Sequence, residues 1–459
     1  MNRIRKKGPG STAAAAGRTV AAVALGCAQN RIDTEEILGL LGRRGYLITD
    51  DPARADLILV NTCAFIEKAQ QESIETILAL ARLCRGRQRV LVAAGCLAQH
   101  FGGKLLQEIP ELNGVIGVHS YSRIEGFLER CFQRSRELLL LEPAPCYGAL
   151  GPRLLTTPPH SAYVKIAEGC DNRCCYCLIP SLRGPLRSRP PGEIIAEIRD
   201  LLAGGTREIN LVAQDSTAYG SENGAPGSLP ELLERILREI PDHFWLRILY
   251  AHPDRVNGPL IELIAREERI CKYLDLPLQQ INDRVLRRMG RRYRRATVET
   301  LLRELRRRIP GLVLRTTFLT GFPGESRADF RELCSFLQEQ PIERVGVFAY
   351  SRQPGTAAAL FPEQVPSRVG ESRRRELLRQ QQGAALTFNR SLIGKIFTVL
   401  VEGPSGKKGS FYRGRTSFQA PAVDGALYFR SPQPLQPGSW VRVRISAASP
   451  YDLFGTLRS

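Results

Sequence analysis

Three cysteines within eight residues, Cys170, Cys174 and Cys177, stand in a CxxxCxxC arrangement just after the apolar run Tyr163-Val164-Lys165-Ile166-Ala167. Such a run reads as a strand, which places the cysteine loop at a strand's end. Thiolates that converge in so short a loop select soft metals, chiefly zinc or iron–sulfur clusters. A structural zinc site is closed by four ligands, whereas this loop supplies three at the motif spacing. Three thiolates on a four-iron cluster leave one iron open to a further ligand, which is a catalytic arrangement. Spacing alone leaves Cys175 as an alternative to Cys174 or Cys177.

A second set of three cysteines is dispersed along the first third of the chain. Val20 to Leu25 leads to Gly26-Cys27, Leu57-Ile58-Leu59-Val60 to Asn61-Thr62-Cys63, and Val90-Leu91-Val92 to Ala93-Ala94-Gly95-Cys96. The intervals of 36 and 33 residues suit one βαβ unit each. Helices are expected between the runs, over Thr34 to Arg43 and over Glu67 to Leu83, where Ile74, Ile77, Leu78 and Ala81 line one face. In a parallel sheet flanked by helices, ligands gather beyond the carboxyl ends of the strands. Buried core cysteines would also suit such places, but three in phase point to a second metal centre. Cys84, Cys131, Cys146, Cys271 and Cys334 fit no such spacing and read as structural.

The positioning elements fall into blocks. Residues 1–18 read as a disordered basic arm and 19–132 as a parallel α/β domain. Residues 133–155 are a linker, within a Pro-, Gly- and Thr-rich stretch that runs from Leu141 to His160. Residues 156–390 show six strand-like runs, Tyr163–Ala167, Glu208–Ala213, Trp245–Tyr250, Tyr273–Leu278, Leu312–Leu319 and Arg344–Ala349, separated by helical patterns. Six β/α units suggest an open, partial barrel with its functional loops at the carboxyl ends of the strands. Glu371 to Asn389 reads as a long charged helix. Residues 391–458 alternate in short segments interrupted by turns, the pattern of a small antiparallel β-barrel. The fold class is therefore α/β, with three blocks in series.

At 459 residues the chain exceeds one ordinary core, and 43% hydrophobic with 24% charged residues are globular values. Its net charge of +19 favours a polyanionic partner such as RNA or an RNA-containing assembly, although an Arg-rich proteome would produce the same excess. Seven arginines between Asp283 and Arg295 (Arg284, Arg287, Arg288, Arg291, Arg292, Arg294, Arg295) could grip phosphates or simply line a solvated helix. Twelve cysteines over this length are too sparse for a disulfide scaffold, and their metal-like clustering implies a reducing cytoplasm. Leu25-Gly26-Cys27 mimics a lipoprotein cleavage box, but the stretch before it is Ala-rich and broken by Gly17 and Arg18, a poor signal segment. No apolar run reaches the length of a membrane span.

Taken with Tyr176, the octet from Cys170 to Cys177 resembles the signature of the radical S-adenosylmethionine (AdoMet) superfamily. Gly26-Cys27-Ala28-Gln29-Asn30 with Asp33, Asn61-Thr62-Cys63-Ala64-Phe65 and Ala94-Gly95-Cys96-Leu97-Ala98-Gln99 resemble the three cysteine motifs that open the methylthiotransferases. Ala28-Gln29 departs from the pairs common there. The C-terminal block resembles their TRAM domain, a substrate-recognition module. Ile179 to Pro190, with Arg187-Ser188-Arg189, together with Ala420 to Gly425 and Tyr451 to Gly455, resembles the ribosomal-protein branch. The resemblance covers nearly all of residues 19 to 458.

What it implies is specific. Cys170, Cys174 and Cys177 would hold one 4Fe–4S cluster, and Cys27, Cys63 and Cys96 a second. AdoMet would serve as radical source and methyl donor, with Tyr176, Gln214 and Asp215 near it. A radical is needed because an unactivated C–H bond has no acidity for a base to exploit. The implied reaction is insertion of a methylthio group at the β-carbon of an aspartate in small-subunit ribosomal protein uS12, with flavodoxin or ferredoxin as electron donor and no membrane partner. The alternative branch modifies adenosine in tRNA. No Ser–His–Asp or carboxylate pair is required, and the five histidines carry no expected role.

Overall fold

The computed structural model describes residues 17–85, 88–133, 135–143, 151–222, 227–406 and 411–458. Residues 1–16 of the expected basic arm, part of the expected linker and Cys146 lie outside the described residues. The chain forms two compact units, one of residues 1–156 with 168–171 and 178–187, the other of residues 157–167 with 172–177 and 188–459.

In the first unit the strands are β1 (Thr19–Ala24), β2 (Leu47–Ile48), β3 (Leu57–Thr62), β4 (Val90–Gly95), β5 (Gly114–Ile116) and β6 (Glu137–Leu139). They pair in the order β2-β1-β3-β4-β5-β6, every pair parallel. The helices are α1 (Ala28–Arg43), α2 (Glu67–Cys84), α3 (Cys96–Glu108), α4 (Ile124–Phe132) and α5 (Ile179–Arg183). β3 and β4 are buried along their whole length, as continuous apolar strands covered on both faces must be. Alternate residues serve opposite faces: Ile58, Val60, Leu91 and Ala93 join one core, Leu57, Leu59, Val90 and Val92 the other.

Two helices differ from expectation. α1 begins at Ala28, directly after Cys27, six residues earlier than its apolar period suggests. Its first turns bury polar side chains, Gln29, Asn30, Asp33 and Glu35, which break the period. α2 buries Ser73, Ile77 and Ala81, whereas Ile74 and Leu78 are 37% and 44% exposed. The helix is turned so that Ser73 Oγ accepts a hydrogen bond from the Cys63 N–H at 3.0 Å.

The second unit opens with β7 (Ser161–Lys165), and the two-residue strands β8 (Ala167–Glu168) and β9 (Arg187–Ser188) precede α6 (Pro191–Ala203). There follow β10 (Glu208–Val212), α7 (Leu229–Glu239), β11 (Trp245–Ile248), α8 (Gly258–Arg266), β12 (Ile270–Asp275), α9 (Asp283–Arg288), α10 (Arg295–Arg308), β13 (Val313–Thr320), α11 (Arg327–Glu339) and β14 (Arg344–Ala349). The strands pair in chain order, β7-β10-β11-β12-β13-β14, all parallel. β11 stops short of Tyr250, whose φ is +61°. β12 runs 270–275 rather than 273–278, because Pro277 has no N–H to offer a ladder.

The helix α12 (Ser367–Ser391) leads to β15 (Ile396–Pro404), β16 (Phe411–Thr416), β17 (Leu427–Arg430), β18 (Trp440–Ala448) and β19 (Leu453–Arg458). These close a barrel in the order β15-β16-β17-β19-β18. The closed barrel is as expected, but one of its pairs, β17 with β19, is parallel.

This barrel is anchored to the parallel sheet by buried charge. Glu208, the first residue of β10, accepts from Arg415 of β16 at 2.5 and 3.0 Å and from Arg247 of β11 at 2.9 Å. Arg247 also donates to Ser417 O at 2.7 Å, and Tyr163 Oη to Pro421 O at 3.4 Å. The turn after β16 thus sits against the amino-terminal ends of the strands. The carboxyl-terminal loops are left for other work. Among the described residues no helix is long and apolar enough to cross a membrane.

Candidate cysteine centres

Strand register brings the dispersed cysteines together. Ala24 lies level with Asn61, and Asn61 with Ala94, so Cys27, Cys63 and Cys96 all follow the same end of three adjacent strands. Cys63 and Cys96 are buried and Cys27 is exposed, which leaves the group open on one side. Each thiol lies within electrostatic reach of the others. Burial pushes the Cys63 thiol up to about 12 and raises that of Cys96. A soft metal, by displacing those protons, is what would make three thiolates tolerable here.

The turns that hold the thiols are tightly specified. Gly26 has φ +85°, and a Cβ there would stand 2.7 Å from Cys63 Cβ and 2.8 Å from its sulfur, so only glycine permits the approach. Asn30 Nδ2 donates to Leu25 O at 3.0 Å and to Thr62 O at 2.9 Å, joining the ends of β1 and β3. Asn61 Nδ2 donates to Asn30 O at 2.7 Å and Thr34 Oγ1 at 2.9 Å. Thr62 Oγ1 donates to Ala94 O at 2.5 Å, which ties β3 to β4.

Arg183, at the end of α5, reaches the same place and is 1% exposed. It donates to Asn30 Oδ1 and Asp33 Oδ2, both at 2.8 Å, and to Glu168 Oε1 at 2.9 Å. Nothing in the spacing of an Arg-rich sequence singled it out.

The CxxxCxxC loop is divided between the units, so its parts are described separately. In the first, Cys170 N–H donates to Gly184 O at 3.1 Å. Gly169 before it has φ +79°, and a Cβ there would strike Pro185 O. In the second, Cys177 N–H donates to Cys174 O at 3.0 Å, closing a tight turn. Cys175 points elsewhere: its Sγ donates to Arg288 O at 3.2 Å, and burial pushes its thiol up to about 12. Among the described residues, no three His, Cys, Asp or Glu side chains stand close enough to hold a single metal ion.

Asp215, expected beside AdoMet, is hydrogen-bonded to the cysteine loop and its neighbours. Its Oδ2 accepts from Asn172 Nδ2 and Arg255 Nη1, both at 2.8 Å, and its Oδ1 from Thr217 at 2.6 Å. Arg255 also donates to Asn172 Oδ1 at 3.0 Å, so Asn172 is gripped from two sides. Neighbouring Gln214 is half-buried at the same strand end. Tyr176 packs edge-on to Phe322 at 6.2 Å, and its hydroxyl accepts from Arg291 at 2.8 Å. Burial, then Arg291, lowers His252 to about 3, so that ring stays neutral.

Four of the seven clustered arginines are engaged internally. Arg284 pairs with Asp329, Arg288 with Glu363 at 3.2 Å, Arg291 with Tyr176, and Arg295 with Glu299, Glu332 and Glu339. Arg287, Arg292 and Arg294 are exposed. The Arg187-Ser188-Arg189 segment is likewise turned inward. Arg187 donates to Arg183 O at 2.9 Å, Ser188 Oγ to Glu222 at 3.0 Å, and Arg189 to Glu197 at 2.6 Å.

Comparison with known proteins places this geometry. The profile of uncharacterized protein family UPF0004 matches residues 19–117, that of the radical SAM superfamily 164–337, and that of the TRAM domain 393–457. Over 435 residues the chain is 48% identical to the ribosomal protein uS12 methylthiotransferase RimO of Desulforudis audaxviator (strain MP104C), covering 95% of this chain and 96% of that one. The chain belongs to the RimO family.

RimO relatives from Pelotomaculum thermopropionicum and Geobacter sulfurreducens are 44% and 45% identical, each over 96% of this chain and over 99% and 98% of their own. Among solved structures, the radical S-adenosylmethionine methyltransferase TsrM from Kitasatospora setae, with cobalamin and a 4Fe–4S cluster bound, superposes with a TM-score of 0.56. At 15% identity over 75% of this chain and 74% of that one, the likeness is one of fold. Arg183, beside the dispersed cysteines, and Asn172, in the CxxxCxxC loop, are the residues that sequence reasoning missed.

Proposed function

We propose that this protein is a radical AdoMet methylthiotransferase that places a methylthio group on the β-carbon of an aspartate in ribosomal protein uS12. The observation that carries the reading is the near-full-length kinship with RimO proteins in a chain that gathers two separate sets of three cysteines.

The donor chemistry fits two iron–sulfur clusters. Cys27, Cys63 and Cys96 would hold one, at strand ends where a charged guanidinium stands ready to offset thiolate charge. Cys170, Cys174 and Cys177 would hold the other, while the Cys175 sulfur is turned to Arg288 O. When bound, the clusters and AdoMet supply one-electron cleavage of an unactivated C–H bond, a sulfur atom and a methyl group. The chain's own work is positioning. Asp215 and Arg255 hold Asn172, and with it the cysteine loop, at the carboxyl end of β10. Tyr176 and Phe322 form an apolar wall beside Cys175. The substrate approaches these loops, because the turn after β16 covers the opposite end of the sheet. A cytoplasmic site and a flavodoxin- or ferredoxin-like donor accord with the reaction.

The test is anaerobic incubation of reconstituted protein with uS12, AdoMet, sulfide and reductant, followed by peptide mass spectrometry. One methylthio group in place of one hydrogen on an aspartate is expected. An unchanged uS12 beside a methylthiolated tRNA adenosine would overturn the substrate assignment.

A further inference from the structure

Arg183 lies just beyond the CxxxCxxC loop in sequence, yet its side chain ends among the dispersed thiols of the first unit. Its Nη2 donates to Asn30 and Asp33 at 2.8 Å each, and its Nη1 to Glu168 at 2.9 Å. Its charge acts on all three thiols, Cys96, Cys27 and Cys63. Three thiolates with Asp33 and Glu168 would collect like charges where all but Cys27 are buried. A guanidinium cannot shed its proton and so is a permanent offset.

We propose that Arg183 is a positioning residue for the cluster held by Cys27, Cys63 and Cys96, fixing Asn30 and Asp33 with its fork and raising the cluster's reduction potential through its charge. The sign follows from electrostatics. Reduction adds one negative charge to the cluster, and a fixed cation stabilises the reduced form more than the oxidised one. Local net charge is a recognised lever on such potentials. The proposal rests on the reading that these three cysteines hold a cluster.

The experiment uses the full chain carrying Cys170→Ala/Cys174→Ala/Cys177→Ala, so that iron reports on the remaining site alone. After anaerobic loading with iron and sulfide, iron per chain is counted and the cluster is titrated redox-potentiometrically by absorbance and electron paramagnetic resonance. Arg183→Gln is expected to lower the midpoint potential, and Arg183→Lys, which keeps the charge, to fall between it and the parent. Asp33→Asn removes an opposing charge and should raise the midpoint, a shift that does not depend on Arg183→Gln folding. At equal iron, a midpoint in Arg183→Gln equal to the parent's, or in Arg183→Lys equal to it should Arg183→Gln not fold, would overturn the proposal and leave the cluster reading standing. A parent that takes up no iron would overturn the cluster reading and the proposal with it.

Discussion

Glu208 and Arg415 meet at 2.5 Å, and both side chains are closed to water. Through this contact, and Arg247 beside it, the small C-terminal barrel is held to the underside of the parallel sheet. Removing one member of a buried ion pair strands the other, at a cost of about 3–5 kcal/mol. Arg415→Met is therefore expected to lower stability by about that amount, measured by urea unfolding. Glu208→Gln combined with Arg415→Met should cost less than the two single changes added together, because the pair acts as one unit.

Acid should leave this anchor alone until well below neutrality. Burial by itself would raise the Glu208 carboxyl, but Arg415 and Arg247 more than offset it and hold the group far below the usual carboxylate range. A depressed folded-state pKa gives stability that is present above the unfolded value and is lost as pH falls through the folded one. The difference in thermal midpoint between the parent and Glu208→Gln is expected to stay level from about pH 8 to about pH 5, then shrink below roughly pH 4. Calorimetry across that range checks it.

Iron content separates ligands from bystanders. Cys27→Ala/Cys63→Ala/Cys96→Ala is expected to lose half of the reconstituted iron while still cleaving AdoMet reductively. Cys175→Ser should keep all of it, since that thiol is spent on Arg288 O at 3.2 Å. Iron assay with 5′-deoxyadenosine quantification reads both.

Asn172 is predicted to matter without touching iron. Held by Asp215 and Arg255, it sets the path of the loop between Cys170 and Cys174. Small misplacements at a reacting centre cost up to about 100-fold. Asn172→Ala should lower 5′-deoxyadenosine formation by roughly 10- to 100-fold, with the iron at the dispersed cysteines unchanged. Full rates in this variant would sink the positioning role of Asp215.

The meeting of Cys27, Cys63 and Cys96 beyond adjacent strands was legible because each follows an apolar run at a βαβ interval. The parallel sheets were legible too, since buried strands are written as unbroken apolar runs. The start of α1 was not: Gln29, Asn30 and Asp33 face inward for the sake of the cysteine turns, and a helix that buries polar groups has no apolar period to read. Ser73 misled in the same way, drawing α2 round until Ile74 and Leu78 faced out. Arginine was the least readable residue. In a chain so rich in it, only packing distinguishes Arg183, buried among thiols, from Arg292, exposed at the surface.

The link from Arg183 to Asp33 spans 150 positions of the chain. During synthesis, β1, β3 and β4 leave the ribosome and can pair long before α5 exists. Thiols brought together in that interval would stand without their counter-charge, and a metal arriving then would meet an unfinished nest. If these thiols hold a cluster, chain order places Arg183 and the other cysteine loop after them, so that a completed nest requires translation to have passed Arg183.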